Sequence, residues 1–297
     1  MIINSANLRM LITGYRANFQ TGLAGVAPMW DRIATLVTST TSEELYPWLS
    51  QIPGMRKWIG ERQINNVKAD AYRLVNEKWE DTVSVEGSKI ADDRYGIYAP
   101  LMTMLGDAAA RQPDELVFKT IGNGFSTNCF DGQFFFDTDH PVIDANGVTQ
   151  SVSNMQAGGG TPWYLLDTRK AIKPLIFQER QKPRFNALDN PDDQNVFMRD
   201  EFIYGADSRN TAGFGFWQTA FGSRATLNAA NFEAAYFAMT GFKKDGGEPL
   251  AITPNVLLVG TSNQLAAERV VKLQRLANGE DNVNWQRVEI MVAPWLP

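Results

Sequence analysis

Between Val67 and Val85 the chain combines two β-favouring patches, Tyr72-Arg73-Leu74-Val75 and Thr82-Val83-Ser84-Val85, with few turn residues. The same stretch is crowded with charge: Lys68, Asp70, Arg73, Glu77, Lys78, Glu80, Asp81, Glu86 and Lys89. Side chains of this kind do not enter a core unpaired, so the segment reads as an extended hairpin over residues 65–98 and not as a core strand pair. A two-stranded ribbon is marginal by itself. It has to lie on something, and a neighbouring subunit is one such surface.

Around this ribbon the periodicity marks further elements. Leu8, Leu11, Tyr15, Phe19 and Leu23 are spaced for a weak helix that needs a partner, an N-terminal arm. Thr41-Ser42-Glu43-Glu44 before Leu45 suits the cap of a short helix ending near Pro47, and Trp48, Ile52, Trp58 and Ile59 supply anchors about Pro53-Gly54. The strongest helix signal follows Gly96, with Pro100 in the first turn and an apolar stripe of Leu101, Met104, Leu105, Ala108 and Ala109. Pro113 interrupts it before Val117, Phe118 and Ile121, and one kinked helix is favoured over two in series.

Strands and long connections are expected from Phe125 to Phe221, at Gln133–Phe136, Trp163–Leu166, Leu175–Gln178, Phe202–Tyr204 and Phe214–Phe221, with Gly158-Gly159-Gly160 as a joint. The last part alternates: helix Asn231–Phe242, strand Asn255–Val259, helix Ser262–Leu276, strand Val288–Val292. Alternation of that kind implies a small α/β subdomain, and the whole is of α+β class.

Composition narrows function by exclusion. Against 33 acidic residues stand 28 basic ones with no basic block, so tight nucleic-acid binding by counterion release has no footprint. No apolar run approaches the ~20 residues a membrane span needs, and Met1–Leu11 lacks a signal-peptide layout, which points to a cytoplasm-like compartment. Cys129 is the only cysteine, read as a buried free thiol. His140 is the only histidine, which removes multi-histidine metal sites and strains most hydrolase chemistry.

Each reactive-looking cluster has a plainer reading. Asp137-Thr138-Asp139-His140 puts two carboxylates beside an imidazole, fit for a cation or a base. Phe134-Phe135-Phe136 before it and Pro141 after it instead suggest a strand entering a turn, where aspartates accept from backbone amides. Asp92-Asp93 precedes a helix start and reads as capping. Gly122-Asn123-Gly124, Gly158-Gly159-Gly160 and Asp245-Gly246-Gly247 lack the context of phosphate loops and read as turns or hinges. Gly213-Phe214-Gly215-Phe216-Trp217 has no basic groove to make it a base-stacking platform, so sheet packing is expected. Lys170-Ala171-Ile172-Lys173 and Lys182-Pro183-Arg184 are modest basic clusters, expected to be solvated or paired. No catalytic, cofactor or metal residue is therefore assigned.

Several longer phrases run together: Gly96-Ile97-Tyr98-Ala99-Pro100, Gln112-Pro113-Asp114-Glu115-Leu116, Phe130-Asp131-Gly132-Gln133, His140-Pro141 and Trp163-Tyr164-Leu165-Leu166-Asp167. Lys173-Pro174-Leu175-Ile176-Phe177-Gln178-Glu179-Arg180, Gly213-Phe214-Gly215-Phe216-Trp217-Gln218 and Asp245-Gly246-Gly247 continue them. In this combination, over nearly the whole chain, the sequence resembles the Mu-like bacteriophage major head (capsid) protein family. The resemblance implies the Hong Kong 97-type capsid fold, with N-terminal arm, extended β-hairpin loop, long spine helix, peripheral domain and axial domain. On this chain the parts fall at residues 1–64 for the arm and short helices, 65–98 for the loop, 99–228 for spine and peripheral domain, and 229–297 for the axial α/β domain. One departure is that the axial segment ends the chain, whereas in many such shells it precedes the last long peripheral strands.

The implied function is self-assembly, as hexamers and pentamers, into an icosahedral head enclosing double-stranded DNA without sequence specificity. Scaffold and portal proteins are the implied partners, with decoration proteins as a further one, assembly in the bacterial host cytoplasm, and no enzymatic activity or membrane. Covalent crosslinking between subunits is not expected. An encapsulin-like compartment of the same fold is the alternative, distinguished by co-purifying cargo. A hydrolase using Asp137, Asp139 and His140 is a distant third, tested by His140→Ala.

Overall fold

The computed structural model describes residues 5–50, 72–92, 96–190, 192–276 and 279–297. Along the chain run α1 (Ser5–Gly25), β1 (Ala34–Thr38), β2 (Glu43–Tyr46), β3 (Tyr72–Val75), β4 (Glu77–Glu86), α2 (Gly87–Ala91), α3 (Tyr98–Gly122), β5 (His140–Ile143), β6 (Thr149–Val152) and β7 (Met155–Gln156). They are followed by β8 (Trp163–Leu166), β9 (Leu175–Leu188), α4 (Gln194–Arg199), β10 (Glu201–Phe214), β11 (Ala220–Ser223), α5 (Ala229–Thr240), β12 (Val256–Val259), α6 (Gln264–Val271) and β13 (Glu289–Val292).

Two sheets organise the molecule, in the orders β1-β9-β10-β4 and β13-β12-β8-β11-β7. α3 joins their cores. Its first half buries Met102 and Leu105 with Tyr15 and Phe19 of α1 against Phe185, Phe202 and Tyr204 of the four-stranded sheet. Its second half buries Val117, Phe118 and Ile121 in the larger core of the five-stranded sheet, α5 and α6. A helix of 25 residues spans about 37 Å, long enough to serve both. Pro113 lies inside this one continuous helix, so the single-helix reading holds over two in series.

The weak arm helix forms because α3 gives it a surface. A Cβ on Gly22 would lie 2.0 Å from the Thr103 carbonyl oxygen, and one on Gly106 would lie 2.1 Å from that of Phe19. Only paired glycines let the two backbones approach so closely. The link is reinforced from α3, where the buried Asp114 Oδ1 accepts the N–H groups of Met29 at 2.8 Å and Trp30 at 2.7 Å.

Several expectations are corrected. Among the described residues of 65–98, β3 and β4 do not pair with each other, since β3 pairs antiparallel with β2 and β4 pairs antiparallel with β10 as an edge strand. The junction residue between β3 and β4, Asn76, turns inward: its N–H donates to Ser42 O at 2.9 Å and its side chain to Ser39 Oγ at 2.8 Å. Gln178 extends this buried network by donating to Asn76 Oδ1 at 2.9 Å and accepting from the Tyr46 hydroxyl at 2.6 Å. Residues 51–71, with Ile52, Pro53-Gly54, Trp58, Ile59, Lys68 and Asp70, lie outside the described residues, as does the side chain of Trp48.

Thr41–Glu44 leads into strand β2 and not into a helix, because the Glu44 carboxylate folds back to accept from Ser39 Oγ, Thr40 N–H and Thr41 Oγ1. Asp92 is the residue after α2 and not a cap of α3, whose N-cap position is Ile97 without a side-chain bond; Asp93 lies outside the described residues. Gln133–Phe136 is a loop with one bridge, Asn128 to Phe134, that buries Phe135 and Phe136 and is held by Phe135 N–H to Thr127 O and Phe136 N–H to Gly124 O. Phe214–Phe221 breaks at Gly215 and a single 3₁₀ turn before β11. Gly158-Gly159-Gly160 is exposed and runs close to the 224–225 backbone at its ends: a Cβ on Gly158 would meet Arg224 O at 2.3 Å, Gly160 N–H donates to that oxygen at 2.8 Å, and Gly159 has nothing within 4 Å of its would-be Cβ. The C-terminal α/β segment is not self-contained either, since β12 pairs with β8 across residue 229.

Other readings match. β8 occupies the expected residues, α5, β12 and β13 lie within two residues of their expected bounds, and Asp245-Gly246-Gly247 is a turn with both glycines at positive φ.

Candidate assembly surfaces and the buried histidine cluster

The reactive cluster suggested by the sequence is rearranged in space. His140 meets not Asp137 and Asp139 but Asp131, whose Oδ2 lies 2.7 Å from Nδ1, and Asn154, whose Oδ1 lies 3.2 Å from Nε2. Its ring stacks on Trp217 with centroids 4.1 Å apart. Asp131 Oδ1 also accepts from the Cys129 thiol at 3.0 Å and the Gln133 N–H at 3.1 Å. Asp137 instead accepts from the N–H groups of Phe134 and Thr138, which is the turn role expected of it.

Among the described residues, Cys129, Asp131 and His140 bring potential metal-ligand atoms within 4.8 Å of one another. Burial, followed by the neighbouring Asp131 charge, pushes the Cys129 thiol above the usual range, so it stays protonated and unreactive. Burial alone would raise Asp131, but the bonds from His140 and Cys129 bring it below the usual carboxylate range. The arrangement is a satisfied polar hub without an open ligand position. Cys129-x-Asp131 with His140 nine residues on was visible in the sequence; Asn154 and Trp217 come from distant segments and had no local signal.

The basic clusters are already engaged. Lys170 Nζ donates to Ala251 O at 2.9 Å, Lys173 Nζ donates to Asp31 O, and Arg184 pairs with Asp207 at 2.8 Å. A recess lined by Arg169, Lys272 and Arg287 offers no free cationic cradle, because Lys272 pairs with Glu268 and Arg287 lies over the Tyr236 ring. Phe214 and Trp217 are buried in the core, as sheet packing requires.

The surface carries apolar side chains that folding of one chain does not cover. On the 272–288 segment Leu273, Leu276, Val283 (72% exposed) and Trp285 (43%) face solvent. Its base is firm, with Asn282 Nδ2 donating to Val270 O and Leu273 O and Asn284 Nδ2 to Glu233 Oε1. Phe197 (81%) and Met198 project from α4, and Leu45 and Val75 from the β2-β3 pair. Apolar side chains held out by an ordered backbone are a signature of surfaces awaiting a partner. Among the described residues the edge strand β4 has no second neighbour, and its Glu77, Lys78, Glu80 and Asp81 are the kind of charges that discourage indiscriminate pairing. Among the described residues, no helix is long and apolar enough to cross a membrane.

The family described as Mu-like prophage major head subunit gpT matches residues 8–296. The chain is 38% identical to the major capsid protein of Escherichia phage Mu, covering 100% of both, and 42% identical to the Mu-like prophage FluMu major head subunit of Haemophilus influenzae, covering 93% of this chain and 91% of that one. In three dimensions it is similar to the procapsid chain of bacteriophage JBD30, with a TM-score of 0.87, 46% identity and coverage of 99% of this chain and 100% of that one. The JBD30 capsid chain gives a TM-score of 0.78 at 34% identity, with 100% of both covered. The fold is the α+β Hong Kong 97-type fold of phage major capsid proteins. This chain belongs to the Mu-like prophage major head subunit family, a major capsid protein that forms the head shell of a Mu-like phage.

Proposed function

We propose that this chain builds its shell as rings of five and six copies, and that its action is purely structural. The observation that carries this reading is the end-to-end likeness to a procapsid chain, with exposed apolar side chains on an ordered backbone. Individually modest contacts suit a shell, because apolar burial at each is offset by lost freedom and misplaced subunits can leave. The four-stranded sheet with α1 and α3 corresponds to the peripheral part. On this reading the five-stranded sheet with α5 and α6 would form the axial part. Packaged double-stranded DNA is held by enclosure, consistent with a net charge of -5. Scaffold and portal proteins meet the shell during assembly in the host cytoplasm. The JBD30 capsid is known decorated with minor capsid protein trimers, and a decoration partner is proposed here by that likeness.

Expression of the chain alone, followed by sedimentation and negative-stain microscopy, tests this reading. Rings, tubes or closed particles are expected; a monomer at every concentration, with or without added scaffold, overturns it.

A further inference from the structure

Three asparagines of this chain are followed by glycine, Asn123, Asn146 and Asn278, the last of which lies outside the described residues. A glycine has no Cβ to hold its amide nitrogen away from the side chain before it, so in an Asn-Gly pair that nitrogen most easily reaches the asparagine Cγ. Whether it does so depends on how firmly the peptide between the two residues is held. The fold treats Asn123 and Asn146 in opposite ways.

Asn146-Gly147 forms the tip of the β5-β6 hairpin. Gly147 N–H donates to Asp144 O at 3.1 Å and Asp144 N–H donates to Val148 O at 2.9 Å, with Gly147 at φ 80°, a turn closed by a left-handed glycine. The Asp144 carboxylate completes it by accepting the N–H groups of Asn146 at 2.8 Å and Val148 at 3.0 Å. Little covers this tip: residues 145–150 are exposed and a Cβ on Gly147 would have nothing within 4 Å. Among the described residues β5 and β6 pair only with each other, and an exposed end of a two-stranded ribbon opens at low cost.

The peptide after Asn123 is fixed on both sides, although the Asn123 side chain is itself exposed. Asn123 ends α3, its N–H bonding back to that helix, and its carbonyl accepts from Ser126 N–H at 3.0 Å. Gly124 is buried, its carbonyl accepts from Phe136 N–H at 2.9 Å, and a Cβ there would lie 2.8 Å from the Phe136 ring. Rotating this peptide means breaking the end of α3 away from the aromatic core.

We propose that Asn146 is a self-modifying site, at which the native chain converts asparagine to isoaspartate and aspartate with water as the co-reactant. When the turn opens, the Gly147 nitrogen bonds to Asn146 Cγ, the Cγ–Nδ2 bond breaks, and the side-chain NH2 leaves with the Gly147 proton as ammonia. Water then opens the five-membered imide, its OH adding to one of the two ring carbonyl carbons and its proton returning to the nitrogen. Opening at Cγ leaves aspartate; opening at the main-chain carbonyl carbon leaves isoaspartate. Nothing is oxidised or reduced. Both products place a new negative charge beside Asp144. Isoaspartate also lengthens the main chain by one carbon between the N–H groups that Asp144 accepts, so the turn no longer closes. Its contacts with the neighbouring 243–249 turn, where Gly246 N–H donates to Ile143 O at 2.8 Å and Asp245 Oδ1 accepts from Ile143 N–H at 2.8 Å, are then strained.

The full chain is aged in mildly alkaline buffer, which favours loss of the attacking amide proton, and then digested. Peptide masses read the exchange of NH2 for OH at each Asn-Gly pair, and fragmentation separates isoaspartate from aspartate. The native chain should convert Asn146 severalfold faster than Asn123, with isoaspartate in excess, and the two rates should match in denaturant. Asn146→Gln, whose longer side chain would have to close a six-membered ring, should keep its mass in that peptide. Native conversion of Asn146 no faster than that of Asn123 overturns the proposal, and so does an unchanged mass gain in the Asn146→Gln peptide.

Discussion

Replacing Gly106 by alanine adds one methyl group at the closest point of the α1-α3 crossing. Its Cβ would stand 2.1 Å from the Phe19 carbonyl oxygen, against about 3.3 Å for an ordinary carbon–oxygen contact, so the helices must part by about an ångström. Phe19 and Tyr15, buried beside that point, move with α1. Overpacking of this kind costs about 1–3 kcal/mol, and the better helix propensity of alanine returns at most about 1 kcal/mol. A net loss of about 1–2 kcal/mol corresponds to a fall in Tm of about 2–3 °C for a chain of this size. Gly14, on the same arm helix with nothing within 4 Å of its would-be Cβ, is the control: Gly14→Ala gains propensity without a clash and raises Tm slightly. Thermal and urea unfolding of both variants measure the contrast. If Gly106→Ala stabilises as Gly14→Ala does, the close crossing does not exist.

Three further outcomes are expected. Burial holds the Asp114 carboxyl above its usual range, partly countered by the Met29 and Trp30 N–H groups, so its penalty grows as pH rises past the unfolded carboxyl range and is relieved in acid. Asp114→Asn retains an Oδ1 acceptor and should match or exceed wild-type stability at neutral pH, whereas Asp114→Ala strands two buried donors at about 1–3 kcal/mol each; equal losses in urea titrations of the two would refute this. The Val283→Ser, Trp285→Ser double variant should keep the wild-type Tm while lowering particle yield severalfold by sedimentation; unchanged yield would show that this patch is not an assembly contact. Cys129 should resist alkylation in the native chain and react fully in denaturant, and rapid native labelling would contradict its burial.

The parts of the fold legible in the sequence are those whose burial is continuous or periodic. β8 and β12 are runs of four buried residues bounded by turns; α3 was legible as a helix, but its buried face before Pro113 is Met102, Leu105 and Gly106, and of the expected stripe only Leu105 is buried while Met104 and Ala108 are exposed. What stayed hidden depends on partners distant in sequence. β3 and β4 look like the arms of one hairpin, but pairing is decided by β2 and β10, and no local pattern distinguishes a hairpin from two strands parted at Asn76. Thr41-Ser42-Glu43-Glu44 has the composition of a helix cap, yet the same Glu44 carboxylate serves a turn just as well. The histidine hub was not legible as such: the sequence suggests Asp137 and Asp139 as partners of His140, whereas Asp131 and Asn154, 9 and 14 residues away, are the ones it meets. Assembly surfaces were legible only through the resemblance, because an exposed Val283 or Phe197 cannot be told from a core residue in one dimension.

Surfaces made for further copies of the same chain must be covered in the assembled shell, which cryo-electron microscopy of the particles the chain forms would reveal. The reconstruction should show five- and six-membered rings of subunits with both sheets joined by α3, and with Val283, Trp285, Phe197 and Met198 buried between copies. Particles in which those side chains remain facing solvent, or subunits that meet through unrelated surfaces, would contradict it.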